Sequence, residues 1–182
     1  MTMPPVLFSG SEMRDTMARA INNQLNGLLR AWNSWTYQRG GFGPAMAKFI
    51  ALVSYQGPLP PGYGDLPAPD PAVFGLPARD DGSRDSPLLG QNIVTCNSYR
   101  HDFGALRAAS TRVVIGVGAE SGQLVAGRAG LAVAERLGTP AVTFPGGHDG
   151  FLGSEYGQTG EPDAFAATLH KVLDTHADDL VG

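Results

Sequence analysis

A chain of 182 residues with 42% hydrophobic content is long enough to bury one ordinary core and too polar for a membrane-embedded protein. Its 13 basic and 17 acidic side chains sum to −4, so the electrostatic footprint that nucleic acid or anionic lipid requires is lacking, and neither is expected as a partner. The single cysteine, Cys96, excludes an intramolecular disulfide, and no Cys/His cluster has zinc spacing; a reducing, cytoplasmic setting with no bound metal is the expectation, with Cys96 as a buried small hydrophobe.

The opening "MTMPPVLFSG" lacks the charged flank and apolar run of a signal peptide or anchor. From Ser11, a plausible cap, Met13, Met17, Ile21, Leu25, Leu28 and Trp32 recur at helical spacing and predict an amphipathic helix that stops at Gly40-Gly41. "GPAMAKFIALVSYQG" predicts a second helix, with Pro44 near its first position and Gly57-Pro58 as its end. Pro58 to Pro87 is rich in proline, glycine and aspartate, and its apolar residues have no period, so it reads as a loop or linker. A further helix is expected through Leu88, Ile93 and Cys96, tailing off by Asp102; His101 and Asp102, adjacent in sequence, do not face one another on a helix and read as solvated.

After Ser110 the pattern changes. "RVVIGVG" reads as a strand, "SGQLVAGRAGLAVAERLG" as a helix stopped by Gly138, and "AVTF", between Pro140 and Pro145, as a second strand. A final helix is expected over "EPDAFAATLHKVLD", with Pro162 near its start and Phe165, Leu169, Val172 and Leu173 facing inward. His170 on that helix and His176 beyond it read as surface residues. The fold class is therefore α/β, with a helical region over 1–110 and a βαβα unit over 111–182. Two strands are few for a layered α/β core, which implies a partial fold and an unpaired sheet edge.

Most of the chain from Pro4 to Leu173 resembles the second half of an α/β-hydrolase, a helical cap followed by the last two strands and helices. The resemblance rests on "MPPVL", on "GPAMAKFIALV" as a cap helix, on "ALRAASTRVVIGVGAESGQLVAGRAGLAVAERLGTPAVTFPGGHDGFLG", and on "PDAFAATLHKVL". It implies that His148, in "PGGHDGF" on the turn after the last strand, is the catalytic histidine. An imidazole there takes a proton from a serine hydroxyl and returns it to a leaving group. It further implies an orienting acid on the turn after the preceding strand, where Glu120 in "GVGAESG" is the one carboxylate, although the family pattern has an aspartate at the place of Ser121.

The family's G-x-S-x-G nucleophile elbow and oxyanion-hole loop have no counterpart in these residues. "AESGQ" around Ser121 is a degenerate elbow and makes Ser121 an alternative nucleophile. Gly116, Gly118 and Gly122 imitate a dinucleotide fingerprint, but with the wrong spacing and no acid after the next strand, so a glycine-rich strand exit packed on its helix is expected and no cofactor is assigned. Two functional expectations follow. One is a hydrolase of a small ester, amide or related molecule by a Ser-His-acid mechanism, its serine supplied by an amino-terminal half outside this sequence or by a complementing chain. The other is a catalytically inactive truncated remnant or interaction module that self-associates or binds a partner through the open sheet edge.

Overall fold

A computed structural model describes residues 36–155 and 160–175. The expected helix from Ser11, the "MPPVL" segment and His176 lie outside the described residues, apart from that helix's last turn. The chain divides into two compact units, Met1–Ala51 with Leu59–Arg100, and Leu52–Pro58 with His101–Gly182.

In the first unit a helical turn, Gln38–Gly40, leads through Gly41, at φ 76°, into helix α1, Phe42–Val53. Gly43 lets the proline-rich segment reach the α1 backbone, because a Cβ there would stand 1.9 Å from the Pro77 carbonyl oxygen. Lys48 fixes the same segment. Its Nζ donates to the carbonyls of Gly64 at 2.6 Å and Leu66 at 2.8 Å, and burial lowers its pKa against the opposing pull of Asp65. The segment is a loop, as its composition predicts, with short 3₁₀ turns at Tyr63–Asp65 and Pro71–Phe74. Tyr37, 1% exposed, accepts a hydrogen bond on its hydroxyl from the Ser86 N–H, while Arg84 lies 5.7 Å from its ring and pairs with Asp80 at 2.7 Å. Hydrogen bonds from Arg84, joined by the Gly82 N–H, hold the Asp80 carboxyl at about 2.

A π-helical turn, Leu88–Asn92, continues into α2, Ile93–Ser98. Leu89 and Ile93 are buried, but Cys96 is exposed, contrary to the expectation for it. It continues their helical stripe into the last turn of a six-residue helix, beyond the part that the core covers.

After Leu52–Pro58, the second unit resumes with α3, Phe103–Ala108. Asp102 caps it by accepting the Ala105 N–H at 2.9 Å, and the His101 ring meets Phe103 edge-on at 5.8 Å. Strand β1, Gly116–Gly118, pairs in parallel with β2, Val142–Phe144, in the register Gly116 to Val142 and Gly118 to Phe144. Residues 112–115 of the expected first strand lie outside it, since β2 offers only three residues between Pro140 and the donorless Pro145.

Between the strands, α4, Val125–Leu137, ends at Gly138 in the left-handed conformation, as its sequence predicts. The Arg136 guanidinium lies 4.1 Å from the Phe103 ring centroid and Arg107 donates to the Arg136 carbonyl, which seats α3 on the end of α4. Helix α5, Pro162–Asp174, starts with its proline at a first-turn position and packs Phe165 on Phe144, ring centroids 4.8 Å apart. Leu169 and Leu173 lie on the same side of α5 as Phe165 and Val172, as expected, but are not buried. They are 39% and 67% exposed, because a helix of 13 residues runs about 20 Å and a three-residue strand only about 10 Å.

The architecture is thus of the α/β class, with mixed helices and a two-stranded parallel sheet. Among the described residues no helix is long and apolar enough to cross a membrane.

Gly127 brings α4 against the β1 exit, since a Cβ on it would stand 1.9 Å from the Ser121 carbonyl oxygen, whereas a Cβ on Gly122 meets nothing within 4 Å. Gly127→Ala is therefore expected to destabilise the chain by about 2 kcal/mol or more, and Gly122→Ala to change stability by less than about 1 kcal/mol. Urea unfolding of the two variants side by side checks this.

Candidate functional site

Parallel pairing carries both strand exits to one end of the sheet, Ala119 to Gly122 after β1 and Pro145 to Gly150 after β2. That carboxyl end is where open α/β sheets place their ligands. The ladder continues beyond the strands: the Ala119 N–H donates to the Phe144 carbonyl at 2.8 Å, and the Glu120 N–H to the Gly146 carbonyl at 3.1 Å. Gly118 makes this possible. A Cβ on it would stand 2.5 Å from the Gly147 carbonyl oxygen and 2.8 Å from that of Gly146, so the strand exit runs directly against the histidine turn.

The turn itself is closed by backbone. Gly146 takes φ 77°, the Gly150 N–H donates to the Gly147 carbonyl at 3.2 Å, and the Glu161 N–H donates to the Gly150 carbonyl at 2.9 Å, which ties the turn to the start of α5. His148, exposed, stands on this frame.

Glu120 is exposed on the neighbouring exit, and its Oε2 lies 3.7 Å from the point where a Gly147 side chain would begin. The acid and the imidazole are thus on adjoining turns. Among the described residues no hydrogen bond or ion pair joins them.

Ser121 is 2% exposed, and its Oγ, sealed from solvent, has no hydrogen-bond partner among the described residues. Its burial follows from the approach of Gly127, with which the first turn of α4 closes over it. A sealed hydroxyl does not meet a substrate in this arrangement, and an unsatisfied one costs stability.

His148 and Ser121 both border a cavity of about 580 Å³, within the range of roughly 300–1,000 Å³ usual for small-molecule sites. Phe144, Phe151 and Phe165 form its aromatic wall, and Val172 and Leu173 of α5 extend it. The spacing of the final helix points to Phe165 and Val172, whereas Phe151 and Gly118 were not singled out as site residues. Phe151 follows His148 by three positions, so a turn that presents the histidine also delivers the ring. Among the described residues, no group of three or more His, Cys, Asp or Glu side chains could hold a metal ion.

No protein-family model, curated protein or solved structure matches the chain.

Because the Ser121 hydroxyl is buried without a partner, Ser121→Ala is expected to leave stability unchanged or to raise it by about 1 kcal/mol. Thermal unfolding followed by circular dichroism measures this, and a large loss would mean that the hydroxyl is hydrogen-bonded in solution.

Proposed function

We propose that the second unit carries the general-base half of a Ser-His-acid hydrolase site, with His148 as the base and Glu120 as the orienting acid. The substrate is a small ester, amide or related molecule. One observation carries the reading: parallel pairing sets His148 and Glu120 on adjoining turns at the carboxyl end of the sheet, with His148 at the border of a cavity of about 580 Å³. Since Ser121 Oγ is sealed, the nucleophile comes from a segment or second chain that brings a serine on a tight strand-to-helix turn to His148. His148 then accepts the serine proton as Oγ bonds the acyl carbon and gives it to the departing group; next it takes a proton from the water that cleaves the acyl-enzyme and returns it to the serine, while Glu120 holds the ring.

Hydrolysis of 4-nitrophenyl butyrate tests this. The chain alone is expected to show no turnover above a His148→Ala control, because its sequence holds no G-x-S-x-G elbow. Joined to, or mixed with, a hydrolase amino-terminal half that carries the elbow, it is expected to turn over, and His148→Ala then lowers kcat/KM by about a thousandfold or more. Glu120→Gln gives a smaller, measurable loss. Reconstituted turnover indifferent to His148→Ala, with the fold intact by circular dichroism, contradicts the assignment; turnover by the chain alone that His148→Ala abolishes brings the nucleophile back to Ser121.

A second reading is favoured by the sheet, in which, among the described residues, each strand pairs only with the other. Such open edges pair with other chains. On this reading the chain self-associates, and sedimentation velocity across a hundredfold concentration range shows a rising mean mass; a constant monomer mass removes it.

A further inference from the structure

We infer that the cavity beside His148 takes the apolar group of a neutral molecule, an aryl or branched alkyl ester in the terms of the proposed reaction. The inference rests on the hydrolase reading only for the word ester; the preference for a neutral, apolar ligand stands on the walls. Phe144 and Phe165 pack with ring centroids 4.8 Å apart, and Phe151 meets Phe165 edge-on at 5.9 Å, so three rings form one continuous aromatic surface. Phe151, 54% exposed, is the ring open to an incoming group, and Phe144, 8% exposed, lies behind the surface.

Among the described lining residues only Arg112 and His148 are ionisable. Arg112 is committed elsewhere, since its Nη1 donates to the Thr175 carbonyl and its Nη2 to the Val172 carbonyl at the end of α5. The hydroxyl of Ser121 is sealed. A ligand that enters therefore meets aromatic and aliphatic carbon over its body and one imidazole at the strand-exit end. An anion would have to draw Arg112 away from the α5 carbonyls or rest its charge against carbon, a cost that a neutral group of equal size avoids. A flat ring or branched chain gains the aromatic contacts and leaves its polar end by His148, which is where the scissile bond of an ester would lie.

The test uses the purified full chain and two fluorinated probes of equal size, neither of which can be hydrolysed: 4-fluoroacetophenone, neutral, and 4-fluorobenzoate, anionic. Fluorine-19 NMR titration reads binding without turnover. The ketone is expected to bind about tenfold or more tightly than the benzoate. Leu173→Glu, at a position exposed enough to tolerate the change, is expected to weaken the ketone several-fold, and Val172→Phe, which fills the cavity, to do the same; either loss supports the site when circular dichroism shows the variant folded. Equal or tighter binding of the benzoate overturns the inference, and so does a folded chain that binds neither probe or binds the ketone regardless of both variants. Ketone binding without hydrolysis in any reconstitution would leave the cavity assignment in place and remove the hydrolase, whereas His148-dependent hydrolysis without ketone binding would do the reverse.

Discussion

The second unit depends on one close approach, that of Gly118 to the carbonyls of Gly146 and Gly147. Three paired residues per strand are a small ladder, and what lengthens it is the continuation past the strand ends, Ala119 to Phe144 and Glu120 to Gly146. Those bonds exist only because no Cβ stands between the two turns. The same contact sets where two side chains stand, since it fixes the backbone of the residue before His148 and of the turn that carries Glu120. In the proposed reaction, a fixed backbone under both groups lowers the conformational entropy that aligning them would cost.

The cavity is a consequence of the same economy of strand. A two-stranded sheet is too narrow to cover α5, so Leu169 and Leu173 stay exposed while Phe165 and Phe144 close only the inner part of the interface. The uncovered remainder opens beside the histidine turn. Apolar surface left there is unfavourable in water and gains from any apolar occupant.

Those elements that carry their own punctuation were legible in the sequence. Gly138 ends α4 in the left-handed conformation, and Pro162 opens α5 at a first-turn position where its missing N–H has no cost. The placement of His148 on a glycine turn after a strand was likewise legible, because Pro145-Gly146-Gly147 allows little else. Where the outcome depends on what lies opposite, the local pattern fails. "RVVIGVG" has strand composition throughout, yet only its last three residues form the strand, with the Ile115 carbonyl accepting the Val142 N–H just before it. Cys96 lies on the right helical stripe and still faces solvent. The burial of Ser121 is set by a glycine six residues on, and of the glycines that imitate a nucleotide fingerprint, Gly118 lets one turn touch another, Gly116 admits the Phe144 ring and Gly122 meets nothing within 4 Å.

The most direct measurement is a comparison of the His148 ring resonances in the wild-type chain and in Gly118→Ala. The account predicts a single set of imidazole signals in the wild type, with nuclear Overhauser contacts to the Phe151 ring or the α4 start, and shifted or multiple signals in Gly118→Ala while α4 and α5 keep their helical content. Unchanged His148 signals in a folded Gly118→Ala chain would contradict the claim that this glycine contact holds the site.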